Sequence, residues 1–160
     1  MLKDFLLELE KMERFEPWIP EILVAKKTDI EWLSAEDMHN SSKIGMILQQ
    51  PSKTFELFLQ EIPPGGTSDM QRHHHETIHY VLSGRGYSEI AGRKVRWETG
   101  DCVYTPVWAW HRHYNGSDTE SVHMLGIENS RLLKTFELNR RESKGNLSWY
   151  EMTGEHPVED

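Results

Sequence analysis

The chain has 160 residues, a length that suits a single domain of ordinary size. Its formal charge is −8, and it has no long basic run, so neither nucleic acid nor an anionic membrane surface is expected as its partner. The only cysteine, Cys102, excludes an intrachain disulfide and a cysteine-based zinc cluster. Because no secretory signal pattern and no long apolar run is seen, a cytoplasmic protein is expected.

An amphipathic helix is predicted over residues 1–16, because apolar side chains recur there at helical spacing. These side chains are Leu2, Phe5, Leu6, Leu9 and Met12. Pro17 is predicted to end the helix, since a residue before proline avoids the helical conformation. Such a terminal apolar stripe usually docks on the domain or on a partner subunit.

From residue 22 the pattern changes to short apolar-rich strands separated by glycine and proline turns. The clearest predicted strands are 44–48, 54–59, 78–82, 87–90, 94–97, 102–105 and 122–127. This spacing indicates an antiparallel sandwich or barrel over residues 22–138 rather than a parallel α/β sheet. Residues 139–160 are polar and are predicted to form a short C-terminal extension, as a peripheral helix or loop with a frayed end.

Histidines are concentrated in the middle of the chain. Seven of the nine lie between positions 73 and 123, namely His73, His74, His75, His79, His111, His113 and His123. Neutral imidazole is the commonest protein ligand for zinc, iron, copper and nickel. Alternate residues of a barrel strand share a face, so His111 pairs with His113, and Thr77 with His79. The pattern predicts one divalent metal ion held inside the barrel.

Two motifs in this region resemble those of the cupin superfamily. The second cupin motif, Gly-x5-Pro-x-Gly-x2-His-x3-Asn, is matched by Gly100, Pro106, His111 and Asn115, with Trp108 replacing its second glycine. The first motif, Gly-x5-His-x-His-x3-Glu-x6-Gly, fits between Gly65 and Gly84. It then puts Gln71 and His73 at the two histidine positions and Thr77 at the glutamate position. The resemblance implies a single cupin barrel, a double-stranded β-helix or jelly roll.

A narrower resemblance concerns residues 105–113, which are similar to the corresponding stretch of gentisate-type ring-cleaving dioxygenases. Those enzymes lack the motif glutamate and use an iron(II) held by three histidines. The similarity implies a non-haem, iron(II)-dependent oxidoreductase that acts on a small aromatic or oxo-acid compound. Gln71 stands where such an enzyme has a histidine.

The resemblance implies His73 and His111 as metal ligands, with three residues open as the source of the third. Gln71 offers an amide oxygen, His75 could pair with His73 after a small loop shift, and His79 could occupy the region of the missing glutamate. Fe(II) is favoured by the dioxygenase resemblance, with Mn, Ni, Cu and Zn also compatible.

Several neighbours of these ligands are candidates for other roles. His113, or whichever of His75 and His79 is not a ligand, is predicted to handle protons. Trp108 and Trp110 are predicted to line a pocket for the substrate, although barrel packing is the alternative for both.

Three classes of function remain open from the sequence. The first is a metal-dependent dioxygenase-like enzyme. The second is a non-catalytic, ligand-binding or sensory barrel, which the Gln71 and Thr77 departures favour. The third is a redox-neutral cupin isomerase or lyase. A homodimer is expected from the family resemblance and from the need to cover exposed strands.

Overall fold

The computed structural model describes residues 2–14 and 17–160. Residue 1 and residues 15 and 16, which belong to the helix predicted over 1–16, lie outside the described residues. Helix α1 (Leu2–Glu13) is present, as the spacing of its apolar residues predicts. Its side chains are all exposed, so docking of the apolar stripe on the barrel is not seen among the described residues.

The described residues form twelve strands in chain order. They are β1 (Glu31–Leu33), β2 (Lys43–Met46), β3 (Glu56–Ile62), β4 (Gln71–His73), β5 (Thr77–Ser83), β6 (Arg85–Ile90), β7 (Arg93–Glu98), β8 (Cys102–Thr105), β9 (His111–Asn115), β10 (Val122–Glu128), β11 (Arg141–Ser143) and β12 (Val158–Glu159). The short helices are a 3-10 turn (Lys27–Asp29), α2 (Ala35–Met38), α3 (Ser130–Thr135) and α4 (Trp149–Thr153).

Two six-stranded sheets make up the barrel. One has the order β1-β2-β3-β10-β5-β8 and the other the order β11-β4-β9-β6-β7-β12. Every pairing between these strands is antiparallel except that of β12 with β7. The all-β, antiparallel two-sheet architecture predicted from the sequence is therefore confirmed.

Inward-facing residues change from apolar to polar along the barrel. On β5 the buried positions run Thr77, His79, Val81, and on β3 Gln60 precedes Ile62. The apolar residues form the core at one end, together with Ile90, Trp97, Val103, Val122 and Met124. At the other end the same strands present imidazole, amide and hydroxyl groups. A closed apolar core thus supports an open polar end, and the site lies there.

The C-terminal extension contributes more structure than its polar composition predicts. Strand β11 pairs with β4, and β12 pairs with β7, so both lie at the edges of one sheet. Ion pairs hold β12, where Lys94 contacts Glu159 at 2.7 Å. These edges offer unpaired backbone groups, which a polar segment can satisfy as well as an apolar one. None of the helices in the described parts of the chain has the length and apolar character needed to span a bilayer.

Candidate functional site

A cavity of about 440 Å³ occupies the polar end of the barrel. Its wall combines residues from both sheets and from the C-terminal extension. The polar residues lining it include Gln60, Asp69, Gln71, His73, His75, Thr77, His79, His111, Glu128, Arg141 and Ser143. Apolar side chains, including Phe58 and Met46, cover the rest. A cavity with an apolar wall and converging polar groups suits a small organic ligand.

Five side chains, which we call the histidine cluster, stack inside the barrel. They are His73, His75, His79, His111 and His113. The rings of His73 and His75 are stacked with centroids 3.7 Å apart, and His111 meets His73 edge-on at 4.7 Å. His79 and His113 are in contact at 4.6 Å. Strands β4, β5 and β9 therefore bring together the histidines that the sequence analysis singled out.

Backbone carbonyls orient two of these rings. Nδ1 of His73 lies 2.6 Å from the carbonyl oxygen of His75, and Nδ1 of His111 lies 2.9 Å from that of Ala109. A carbonyl can only accept, so each Nδ1 carries the proton and each Nε2 keeps its lone pair. Metal-binding histidines are commonly held in this way. Nε2 of His111 is buried and has no hydrogen-bond partner.

The cluster is kept largely uncharged by its surroundings. Burial, reinforced by neighbouring histidine rings, lowers the pKa of His73, His79 and His111 to about 3. Burial also lowers the pKa of His113 well below its usual value. These four imidazoles are therefore neutral near pH 7, which is the form that binds a metal ion.

His113 lies deeper than the other rings and does not line the cavity. Trp97 Nε1 donates to Ser88 Oγ at 2.8 Å, and Ser88 Oγ lies 2.7 Å from His113 Nδ1. Its Nε2 is buried without a partner, as is Nδ1 of His79. Of the residues predicted to handle protons, His75 and His79 line the cavity and His113 does not.

His75 differs from the rest of the cluster because both of its ring nitrogens are engaged. Nδ1 lies 3.0 Å from Asn139 Oδ1, and Nε2 lies 3.2 Å from a carboxylate oxygen of Glu128. Burial alone would lower the pKa of His75, but the hydrogen bond and charge of Glu128 outweigh it, so the net pKa is raised. For Glu128 the directions are reversed. Burial alone would raise its pKa, but the hydrogen bond and charge of His75 make the net pKa lower than usual.

Gln71 is also engaged. Arg141 Nε donates to Gln71 Oε1 at 2.7 Å, and Arg141 Nη2 donates to Asp69 Oδ2 at 2.8 Å. Gln71 faces His111 directly in the β4–β9 register. The side chain predicted as a third ligand through its amide oxygen thus lies beside His111, with that oxygen turned to β11.

The side chains of the cavity are of the types that bind a metal ion, but they are not close enough together to form a complete ligand set. Among residues 2–14 and 17–160, no three His, Cys, Asp or Glu side chains are grouped so as to hold a metal. Buried nitrogens without partners, such as His111 Nε2, are nevertheless the groups that a metal ion would satisfy. A set of three ligands drawn only from His, Cys, Asp and Glu would therefore require side-chain movement on binding.

Trp108 and Trp110 lie away from the cavity. Both rings stack on the Arg72 guanidinium, at 4.3 and 4.7 Å from its carbon. Trp108 has a φ of 60°, the left-handed conformation that favours the motif glycine it replaces. Its N–H donates to the carbonyl oxygen of His73 at 2.7 Å. The two residues predicted to line the substrate pocket thus support the strand that carries His73.

Several cavity residues were missed by the sequence analysis, among them Gln60, Glu128 and Arg141. A signal existed for Glu128, because it continues the inward-facing row of Val122, Met124 and Gly126 on β10. Arg141 had no such signal, since it belongs to a polar segment whose pairing with β4 is not encoded in local periodicity.

Residues 58–128 match the family model described as a cupin domain. Over 71 residues, 44% of this chain, the sequence is 37% identical to gentisate 1,2-dioxygenase 1 of Aquipseudomonas alcaligenes, of which the match covers 20%. Over 77 residues it is 36% identical to 1-methylthio-D-xylulose 5-phosphate methylsulfurylase of Rhodospirillum rubrum, covering 48% of this chain and 49% of the relative. The matched segment therefore spans half or less of either relative.

A solved structure of similar size shares the fold. The cupin-2 domain protein of Rhodospirillum rubrum superimposes with a TM-score of 0.63, at 20% sequence identity and over 88% of both chains. At this identity the likeness shows the barrel architecture and leaves the activity open.

Proposed function

This chain belongs to the cupin superfamily, and we propose that it is a metal-dependent, dioxygenase-like enzyme acting on a small aromatic or oxo-acid compound. The observation that carries the proposal is the pair formed by His73 and His111. Both rings are neutral, and a backbone carbonyl holds Nδ1 of each, which leaves both Nε2 atoms as lone-pair donors at one cavity. The similarity to gentisate 1,2-dioxygenase supports the type of reaction.

His73 and His111 would hold the ion, with a third ligand from Gln71, His75 or His79. A bound divalent ion, with Fe(II) favoured over Mn, Ni, Cu or Zn, would supply a template for substrate and, if redox-active, for oxygen chemistry. The protein's own contribution is a partly apolar cavity that is lined by the imidazole of His79, which can exchange a proton with a ligand.

Elemental analysis of untagged protein beside its His111→Ala variant tests the metal site. Near-stoichiometric metal in the wild type and its loss in the variant are expected. Oxygen uptake by the iron-loaded protein with hydroxylated benzoates and diketones then tests the reaction. Absence of uptake across that panel, with metal bound, would leave the metal site standing and remove the dioxygenase assignment.

A redox-neutral reaction is the second candidate. In its support, the relative named a methylsulfurylase, which is not named a dioxygenase, is covered by the match over 49% of its length, against 20% for gentisate 1,2-dioxygenase 1. Turnover that persists without oxygen, with zinc or nickel bound, would select this function. A protein that holds neither metal nor activity would be a ligand-binding barrel.

We also propose that the chain forms a homodimer with a second copy of itself. In support, large apolar residues are exposed on α1 and on the outer face of β5. They are Leu2, Phe5, Leu6, Leu9 and Met12 on α1 and Ile78, Tyr80 and Leu82 on β5. Rows of exposed large apolar residues on a polar chain are typical of an interface. A sedimentation mass equal to one chain would refute the dimer.

A further inference from the structure

A cavity residue on a neighbouring strand faces the position where the cupin motif has glutamate. That position holds Thr77, whose buried Oγ1 has no hydrogen-bond partner. In the β10–β5 register, Thr77 lies directly opposite Glu128. Directly opposed residues of antiparallel strands have Cβ atoms about 4.5–5.5 Å apart. A glutamate side chain at position 128 therefore leaves the barrel wall close to where a glutamate side chain at position 77 would leave it.

Glu128 is placed inside rather than at the surface. Its side chain is 15% exposed, and it lines the same cavity as His73 and His111. It follows Val122, Met124 and Gly126 on the inward-facing row of β10, at the cavity end of that row. Acidic residues are seldom buried unless their charge is compensated, and here the compensating group in the structure is His75 at 3.2 Å.

A divalent ion bound by neutral imidazoles alone would also carry uncompensated charge in this cavity. We propose that Glu128 supplies the carboxylate ligand of the metal site, so that β10 provides the group that β5 lacks at Thr77. The inference rests on the proposed function, because it presupposes that a metal is bound. It assigns a defined role to His75, which holds the Glu128 carboxylate at the cavity until the ion binds.

Calorimetric titration of Mn²⁺ into metal-stripped protein tests this role without reference to activity. Glu128→Gln is expected to weaken Mn²⁺ binding about 10- to 100-fold, the range seen when groups that support a metal site are removed. The matched control is Glu56→Gln. Glu56 faces Glu128 across the β3–β10 register, but it binds Ser130 and does not line the cavity, so this variant should bind Mn²⁺ as the wild type does.

A second variant tests whether Glu128 itself binds the metal ion or only positions His75. Thr77→Glu introduced into the Glu128→Gln protein is expected to restore Mn²⁺ affinity, whereas Thr77→Glu alone should change it little. If Glu128 only positions His75, Thr77→Glu should raise the affinity equally in both backgrounds. If Glu128→Gln does not fold, Glu128→Asp takes its place, with a shorter carboxylate and a measurable loss of affinity.

The outcomes distinguish this inference from the function on which it rests. Tight Mn²⁺ binding by both the wild type and Glu128→Gln would overturn the role of Glu128 and leave the metal site in place. Failure of the wild type to bind Mn²⁺, Fe²⁺ or Zn²⁺ would overturn both.

Discussion

Gly126 provides a direct test of how the cavity wall is built. It faces Phe58 on one side and His79 on the other in the registers of β10. A Cβ atom at position 126 would lie 2.2 Å from Phe58 Cζ and 2.5 Å from both Cε atoms. Side chains do not tolerate such distances, so Gly126→Ala must displace the Phe58 ring, which lines the cavity. Overpacking of this kind typically costs about 1–3 kcal/mol.

Urea denaturation measures that cost as a lower transition midpoint with an unchanged m-value. Phe58→Leu removes the ring atoms that clash, so the double variant should lose less stability than the sum of the two single variants, with a coupling of about 1 kcal/mol or more. Because the ring of Phe58 also meets His79 edge-on at 5.6 Å, the displaced ring should narrow the cavity. A Gly126→Ala protein as stable as the wild type, or strict additivity with Phe58→Leu, would refute the reasoning.

Three further perturbations follow from the site. Gln71→His should raise metal affinity if position 71 contributes a ligand, and titration of metal into both proteins measures this. Loss of the hydrogen bond from Arg141 should lower the stability of the variant by about 1 kcal/mol. An unchanged metal affinity would point to His75 or His79 as the third ligand. Trp108→Ala should leave the metal content unaltered and should lower stability by about 0.5–1 kcal/mol, because the ring no longer stacks on Arg72. Loss of metal from this variant would contradict the position of Trp108 outside the cavity. In metal-stripped protein, the unfolded chain protonates these histidines at a higher pH than the folded chain does, because burial lowers the pKa of His73, His79 and His111 in the folded state. The folded state is therefore most stable above about pH 6.5 and loses stability as the pH falls toward about 3, by about 1.4 kcal/mol per pH unit for each additional proton that the unfolded chain binds. Denaturation midpoints that stay constant from about pH 6 to about pH 4 would exclude this behaviour.

Local pattern was sufficient for much of the fold. The strand over Cys102–Thr105 is found with the predicted bounds, and the other predicted strands differ from the observed ones by a few residues at their ends. Alternation along a strand reports which side chains share a face, and it placed His111 with His113, and Thr77 with His79, on the inner face. The helix α1 followed from its apolar spacing in the same way.

Part of the site could not be predicted from local pattern. Periodicity indicates which face of a strand a side chain lies on, but it does not indicate which residue of another strand lies beside it. Glu128 lies opposite Thr77 only through pairing between strands some fifty positions apart, and Arg141 reaches Gln71 only because β11 adds to the edge at β4. The tertiary structure likewise decided that Trp108 stacks on Arg72 rather than lining the cavity. The sequence by itself determined the barrel, its inward rows and the histidine cluster. Only the tertiary structure decided that Glu128 meets His75 and that Arg141 meets Gln71, because long-range strand pairing brings these residues together.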